Sequence, residues 1–253
     1  MGRAMAAGLV RAGVSGTDDL RLADALPQVA SSAAAEAAGR VADAPTAAGA
    51  DLVVLAVKPK DAEALLVKLR PAVRPDAVLL SVVAGLTLAR LQAAVPGVPV
   101  ARTMPNLAVR HGAGLIVIAT SGVPAAREEA LAGALSGLGA VIALPEGLFD
   151  AATGLAGCGP GFLALVCEGL EEGGVAAGLA RPAARDMTRA LLAGTASLLE
   201  GGVDPADLRQ RVSSPGGATV EGVGVLERGA VRAHLADAVR AAARRSASLG
   251  ARE

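Results

Sequence analysis

The stretch Asp51-Leu-Val-Val-Leu-Ala-Val57, followed at once by Lys58-Pro59, decides the predicted fold. Nearly every side chain in it is apolar, which is typical of a strand that is buried on both faces of a sheet. A helical pattern over residues 61–69 comes next, and then a second apolar run over residues 77–83. Two buried strands joined by a helix predict a parallel sheet with helices packed against its faces.

The same alternation extends in both directions, so the predicted fold class is α/β with a Rossmann-like, doubly wound parallel sheet. The spacing predicts further helices over residues 2–12, 28–38, 87–94 and 124–138, and further strands over residues 20–23, 98–102, 114–119 and 140–144. After about residue 145 the apolar residues recur only at helical spacings. We therefore predict a dinucleotide-binding domain over residues 1–147 and an all-helical domain over residues 148–253.

Composition narrows the class of function. The 253 residues carry 24 Lys and Arg against 24 Asp and Glu, so no charge excess points to nucleic acid or a membrane surface. Two cysteines are too few for a disulfide framework or a zinc site, which predicts a cytoplasmic protein without a metal centre. Residues 162–169 are apolar nearly all round, and since a small bundle cannot cover such helices we expect a homodimer.

Three strand ends are expected to line one crevice. Lys58-Pro59, Ala84-Gly85 and Met104-Pro105-Asn106 each follow a predicted strand directly. A doubly wound sheet binds its ligand outside the carboxyl ends of its strands, so these turns are candidates for a ligand site. Pro and Gly are also common in ordinary strand-exit turns, and each turn taken alone has that simpler interpretation.

The dinucleotide-binding fingerprint is incomplete at the amino end of the chain. Met1-Gly2 leads straight into a helix, so Gly2 takes the place of the last glycine of a G-x-G-x-x-G loop. We expect the first strand and the two earlier glycines to lie upstream of Met1. Asp24 closes the next strand, where an acid meets a ribose 2′-OH, and this favours NADH. Arg3 or Arg21 is the alternative partner, for the 2′-phosphate of NADPH.

A second candidate site is the stretch Ser213-Ser-Pro-Gly-Gly-Ala-Thr219, which lies between two predicted helices. Gly216 and Gly217 let the backbone approach a ligand. The first N–H groups of the next helix lack internal partners, so they can receive a carboxylate. Ala218 and Thr219 begin that helix, and the Thr219 hydroxyl adds a donor. An ordinary N-cap explains the same residues equally well.

Missing residue types exclude common acid–base sites. The chain has no Tyr and no lysine beyond Lys68, so neither a Tyr–Lys hydride-transfer site nor a lysine in the helical half is available. His111 lies soon after the Met-Pro-Asn turn and is one candidate proton donor. Cys158 lies in a loop that opens a helix, and we interpret it as a small residue packed near the ligand rather than as a nucleophile.

In their order and spacing, these motifs resemble the pyrroline-5-carboxylate reductase family. The stretches that carry the resemblance are Leu55–Pro59, Met104–Asn106, Asp150–Pro160, Ala193–Leu199 and Ser213–Thr219. The resemblance covers the chain from Met1 and implies a Rossmann domain followed by a helical dimerisation domain. It implies reduction of a small-molecule substrate, 1-pyrroline-5-carboxylate, to L-proline by hydride transfer from NADPH or NADH, in interlocked dimers that often form a ring of five.

The resemblance also assigns residues to roles. Together with the incomplete fingerprint, it gives a predicted cofactor-binding set of Met1, Gly2, Asp24, Val57, Lys58, Ala84 and Asn106. It assigns the substrate carboxylate to Gly216, Gly217, Ala218 and Thr219, with Thr219 as the candidate catalytic residue.

Departures from the family pattern leave two other functions open. The first strand is missing, Asp43 stands where many members carry an Asn near the adenine ribose, and Ala156 and Cys158 replace two serines. A different Rossmann reductase is one alternative, although the missing lysine argues against a hydroxyacid dehydrogenase. A paralogue that lost cofactor binding and serves as a ligand- or partner-binding dimer is the other. We expect weak NAD(P)H binding by the chain as numbered.

Overall fold

The structure, a computed structural model, describes residues 1–250. They form two compact units, of which the first contains residues 1–158 together with the described residues from Arg240 on. The second unit is Gly159–Val239. The domains of residues 1–147 and 148–253 stay a prediction.

The first unit alternates helices and strands, and the predicted elements follow one another in the predicted order. Its helices are α1 (Gly2–Arg11), α2 (Pro27–Ala37), α3 (Ala44–Ala48), α4 (Pro59–Leu69), α5 (Leu88–Ala94), α6 (Ala125–Ser136) and α7 (Phe149–Ala152). Its strands are β1 (Arg21–Leu22), β2 (Arg40–Val41), β3 (Leu52–Leu55), β4 (Val78–Ser81), β5 (Val100–Pro105), β6 (Gly114–Ser121) and β7 (Gly139–Ala143).

The strands form two sheets rather than one. β3 to β7 form a five-stranded sheet in sequence order, and β1 and β2 form a separate parallel pair. Within residues 1–250, no strand pairs with the outer edge of β1 or of β3. In the dinucleotide-binding strand order 3-2-1-4-5-6, removal of strand 1 leaves two such groups. The predicted fold class, a Rossmann-like sheet without its first strand followed by helices, is confirmed.

One strand pairing departs from the predicted parallel sheet. β5 and β6 run antiparallel, with Val100 opposite Ser121. Only residues 106–113 connect the two strands, and a parallel pair needs a crossover of a dozen or more residues. The connection holds one 3₁₀ turn, Leu107–His111, so the chain reverses direction there.

The pattern did not predict β2 and α3. A two-residue strand and a five-residue helix are too short to show a periodicity. A local signal was nevertheless present, because Asp43 caps α3 by accepting a hydrogen bond from the Thr46 amide at 2.7 Å. Pro45 stands in the first turn of that helix, where proline is favoured.

Two apolar layers cover the faces of the five-stranded sheet. β4 is buried at every position, and its side chains alternate between the layers, with Leu79 in one and Leu80 in the other. The layer with Leu79 also holds Leu66, Leu91 and Phe149, and the layer with Leu80 also holds Met5, Leu135 and Leu138. This burial on both faces is what the apolar runs predicted.

The second unit consists of helices. They are α8 (Gly159–Ala176), α9 (Arg181–Glu200), α10 (Pro205–Arg211), α11 (Ala218–Arg228) and the first half of α12 (Val231–Gly250). The end of α12 belongs to the first unit, where Ser246 Oγ donates a hydrogen bond to Asp150 Oδ1 at 2.6 Å.

Much of the apolar surface of the helices faces outward. No residue of α8 is buried, and a groove of about 210 Å³ between α8 and α9 is lined by Leu163, Val166 and Leu191 among others. The helical stretch Glu146–Ala176 is the one part of the described chain that is long and apolar enough to cross a membrane. Since such helices also occur in soluble proteins, this stretch is weak evidence for a membrane span.

Candidate functional site

Three neighbouring strands of the large sheet end at the same edge. The register aligns Leu55 of β3 with Ser81 of β4, and Ser81 with Arg102 of β5. Because these strands are parallel, the segments that follow them emerge side by side. The structure thus brings together the predicted strand-exit residues, all of them at least partly exposed: Val57, Lys58, Ala84 and Asn106.

The amino terminus of α1 lies against this edge. A Cβ atom placed on Gly2 would lie 2.8 Å from the Cβ of Ala56, which directly follows β3, so only glycine fits there. Met1 is the N-cap residue and offers no side-chain hydrogen bond to the helix. The first amide groups of α1 therefore suit an anion, such as a dinucleotide pyrophosphate, although only one glycine of the fingerprint is present.

Asp24 and Asp43 follow the paired strands β1 and β2. Asp24 Oδ1 accepts a hydrogen bond from the Leu26 amide at 2.9 Å, so one of its two oxygens is already engaged. The pKa of Asp43 lies below its ordinary value because the carboxylate accepts hydrogen bonds from Thr46. Both acids are exposed carboxylates at strand ends, which is where the sequence placed a ribose contact.

The two arginines proposed as alternative ribose-phosphate partners lie differently. Arg3 Nη1 is 3.9 Å from Glu36 Oε2 on α2, so this side chain is oriented by another helix of the same unit. Arg21 belongs to β1 and is exposed. The NADH preference stays a prediction.

Asn106 has a structural role that the sequence did not predict. Its Oδ1 accepts hydrogen bonds from the amides of Ala108 and Leu115, each at 3.2 Å. Its Nδ2 donates to the Ala156 carbonyl at 3.4 Å. Asn106 thereby ties the end of β5 to the start of β6 and to a π-helical turn, Thr153–Gly157. Such turns occur frequently at functional sites.

The stretch Ser213–Thr219 forms a tight turn that opens α11. Gly216 has φ +68°, a conformation that favours glycine, and the Gly217 amide donates to the Ser214 carbonyl at 2.9 Å. A Cβ atom on Gly217 would lie 2.4 Å from Ser214 Oγ. Gly216 is therefore required by its φ angle, and a side chain at position 217 would displace the Ser214 hydroxyl.

The amino terminus of α11 has no capping side chain. Its N-cap residue is Gly217, and no side-chain hydrogen bond caps the helix. An ordinary N-cap would satisfy one of the first amides with a Ser, Thr, Asp or Asn oxygen. Here the amides of Ala218 and Thr219 remain available to a carboxylate, and the half-buried Thr219 side chain lies beside them. The start of α11 can therefore bind an anion, as can the similarly uncapped start of α1.

The predicted residues fall into two groups, one in each unit. The cofactor set lies in the first unit, and Gly216, Gly217, Ala218 and Thr219 lie in the second. His111 ends the 3₁₀ turn after β5 and is exposed, and Cys158 follows the π-helical turn and is half-buried. The roles of all these residues stay predictions.

Sequence reasoning missed one cluster at the strand-exit edge. Arg102 donates to Glu146 Oε1 at 2.9 Å, and its guanidinium carbon lies 4.7 Å from the centroid of the Phe149 ring. The same Glu146 oxygen accepts from the Leu88 amide at 2.8 Å. A signal was present, because an arginine within a largely buried strand predicts a partner for its charge.

Comparisons with known proteins agree over the whole chain. A family profile described as pyrroline-5-carboxylate reductase dimerisation matches residues 146–249. A second profile, described as NADP oxidoreductase coenzyme F420-dependent, matches residues 1–85.

Two curated relatives and one solved structure illustrate the similarity. The chain is 41% identical to a pyrroline-5-carboxylate reductase of Synechocystis over 203 residues, which are 79% of this chain and 75% of the relative. It is 34% identical to that of Mycobacterium tuberculosis, with coverage of 98% and 93%. A crystal structure of Plasmodium falciparum pyrroline carboxylate reductase with NADP bound superimposes with a TM-score of 0.87 at 25% identity, covering 99% of this chain and 94% of the other.

Proposed function

The chain belongs to the pyrroline-5-carboxylate reductase family, and on this premise we propose that it reduces 1-pyrroline-5-carboxylate to L-proline, the last step of proline biosynthesis. The observation that carries the proposal is the uncapped start of α11 beside Thr219. It offers backbone amides to a small carboxylate, and the substrate is a cyclic imine that carries one.

The first unit is proposed to hold the cofactor. Bound NADPH or NADH supplies the hydride, and the protein contributes binding and orientation. Met1 and Gly2 present the amino terminus of α1 to the pyrophosphate, and Asp24 presents a carboxylate oxygen to the adenine ribose. The remaining contacts come from the strand exits at Val57, Lys58, Ala84 and Asn106.

The second unit is proposed to hold the substrate. The amides of Ala218 and Thr219 bind its carboxylate, with the backbone of Gly216 and Gly217 beside them, and the Thr219 hydroxyl contacts the carboxylate or the ring nitrogen. A cyclic iminium arrives already protonated, so the reaction needs no strong protein acid. That requirement suits a chain with no Tyr and two His. Catalysis then rests on holding the imine carbon at the hydride donor.

Thr219 is tested by two substitutions that separate its hydroxyl from its shape. Thr219→Val removes the hydroxyl and should raise the KM for the imine by about tenfold, which is the size of one hydrogen bond to a charged group. Thr219→Ser keeps the hydroxyl and should keep the KM within about threefold. Steady-state kinetics at saturating cofactor provide the measurement. Equal KM values for the two variants would remove Thr219 from the site.

Cofactor preference is tested at the adenine end. Asp24→Ser removes the charge that repels a 2′-phosphate, so the ratio of the Kd for NADPH to the Kd for NADH should fall. Titration of cofactor fluorescence gives both constants. A ratio that Asp24→Ser leaves unchanged would mean that the carboxylate faces away from the ribose.

The assembly is proposed to be a homodimer formed through the second unit, with rings of five dimers as the larger form. The outward-facing apolar side chains of α8 and α9 support the dimer. We further propose a cytoplasmic location, because two cysteines are too few for the disulfide framework of a secreted protein. Light scattering across a dilution series measures the oligomeric state.

A further inference from the structure

The carboxylate of Glu146 joins three elements at the strand-exit edge. It accepts from Arg102 on β5 at 2.9 Å and from the Leu88 amide, the first of α5, at 2.8 Å. Arg102 lies between this carboxylate and the ring of Phe149, with the guanidinium carbon 4.7 Å from the ring centroid. Phe149 is itself 2% exposed, so the arginine rests on a fixed surface.

These contacts are shielded from solvent more than the other ion pairs of the first unit. The side chains of Arg102 and Glu146 are 13% and 27% exposed, whereas those of Arg74 and Asp76 are 47% and 56% exposed. A partly buried pair is screened less by salt and holds its geometry better than an exposed one. Glu146 is therefore a rigid anchor for the Leu88 amide.

The anchored amide ends the segment that carries Ala84. Residues 82–87 run from β4 to α5, and they include Gly85 at φ +77°. At the β4 end, Ser81 Oγ accepts from the Val83 amide at 3.2 Å. At the α5 end, the acceptor is Glu146, which lies 58 residues away in sequence. The course of this segment is thus set by a carboxylate from outside it.

We propose that Glu146 is a positioning residue for cofactor binding, which acts through the Leu88 amide to hold residues 82–87 at the strand-exit edge. The inference rests on the proposed function, because it takes Ala84 as a cofactor contact. Arg102 and Phe149 orient the carboxylate, and the hydrogen bond to Leu88 transmits its position to the segment. Loss of that bond lets the segment shift, so cofactor affinity falls while the substrate site is unaffected.

Two conservative substitutions separate the hydrogen bond from the ion pair. Glu146→Gln keeps an oxygen at the same reach, so it keeps the bond to Leu88 and loses the charge. Glu146→Asp keeps the charge and withdraws by one methylene the oxygen that both donors share. The long Arg102 side chain can follow that oxygen, whereas the backbone amide of Leu88 cannot. If Glu146 positions the segment, the Kd of Glu146→Gln for NADPH should stay within about threefold of that of the unsubstituted chain. The Kd of Glu146→Asp should be about tenfold higher.

The measurements are fluorescence titration of NADPH and NADH with the full chain, and KM values for cofactor and imine. The KM for cofactor should rise in Glu146→Asp while the KM for the imine stays constant. Glu63→Gln is the control. Glu63 of α4 pairs at 2.6 Å with Arg90 of α5, the helix that Leu88 begins, and its substitution should leave both KM values unchanged. If the Arg102–Glu146 ion pair had only a structural role, NADPH binding would instead be weaker in Glu146→Gln than in Glu146→Asp.

The outcomes separate this inference from the function on which it rests. Failure of the unsubstituted chain to reduce the imine, together with no binding of either nicotinamide at concentrations that would reveal weak binding, would overturn both. Normal binding together with an unchanged Kd in Glu146→Asp, or with equal losses in Asp and Gln, would overturn the positioning role alone. The positioning role is supported if NADPH binds more weakly to Glu146→Asp and keeps its affinity in Glu146→Gln and in Glu63→Gln.

Discussion

The large apolar side chains that are buried in the described chain all lie in the first unit, whereas those of the second unit are all at least partly exposed. Leu79, Leu91 and Leu135 of the first unit are each 0% exposed, whereas Leu165, Leu191 and Val225 of the second are 68%, 57% and 60% exposed. Both sets consist of aliphatic side chains that lie on regular helices or strands. The difference shows that an apolar pattern predicts burial but does not tell whether the covering surface comes from the same chain or from a second copy.

The largest expected effect comes from a charge on the exposed face of the second unit. In a dimer with twofold symmetry, Leu191→Glu places an unpaired carboxylate on both copies at once. Because burying an unpaired charge costs several kcal/mol, the dimer should weaken by at least about a hundredfold. Light scattering over a dilution series measures it.

A matched control lies on the first unit. Val67 of α4 is 63% exposed, similar to Leu191, and Val67→Glu should leave the oligomeric state unchanged. A stable monomer for the unsubstituted chain at micromolar concentration, or equal effects of the two substitutions, would contradict the comparison between the units.

The next effect tests the buried side of the comparison. Leu80 of β4 is 0% exposed, and Leu80→Ala should lower the free energy of unfolding by about 2–5 kcal/mol through the cavity that it leaves. The loss should be the same at every protein concentration, since the contacts lie within one chain. Urea unfolding at two concentrations checks this, and Leu191→Ala serves as the counterpart whose effect depends on concentration.

A smaller effect distinguishes two open helical glycines. A Cβ atom on Gly133 of α6 or on Gly194 of α9 meets no atom within 4 Å. Gly133→Ala should therefore raise the free energy of unfolding by about 0.5–1 kcal/mol through helix propensity. Gly194 shares a helix face with Leu191 and Leu198, so Gly194→Ala should give no such gain and should weaken the dimer. Thermal melts and dilution measurements on both variants check this. An equal rise in stability for Gly194→Ala and Gly133→Ala would contradict it.

The smallest effects concern acid stability. Hydrogen bonds from Thr46 lower the pKa of Asp43, and the hydrogen bond from Arg232 lowers the pKa of Glu227. A carboxyl with a lowered folded-state pKa contributes stability above its ordinary pKa, and this is lost as pH falls through the folded value. Asp43→Asn and Glu227→Gln should each flatten the fall of melting temperature between roughly pH 5 and pH 3.

Salt separates the two carboxylates. Glu227 depends on an exposed charged partner, so high salt should remove its contribution, while Asp43 accepts from a neutral residue and should keep its own. Melting curves at low and high ionic strength make the comparison. Equal salt sensitivity of the two variants would show that Asp43 also acts through charge.

The sequence predicted long elements and missed contacts made at a distance. The apolar run ending at Val57 and the helical spacing of α9 were sufficient, since each repeats its pattern over several residues. The reversal into β6 was open to prediction from the short connection. The bonds of Asn106 to Leu115 and Ala156, and of Glu146 to Leu88, join residues that no local pattern links. In the stretch Ser213–Thr219, the glycine at position 216 was open to prediction because its positive φ angle is a local requirement.

The bond between Asp150 and Ser246 has a consequence for synthesis. The two residues are 96 positions apart, and the end of α12 completes the first unit. At roughly 5–20 residues per second, a ribosome needs about 5–20 s to make the chain between them. During that interval the first unit emerges without the part of α12 that belongs to it, so its folding finishes only after Ser246 has been made. A nascent chain stalled before Ser246 should therefore be cleaved by protease within the first unit, and release of the full chain should protect it.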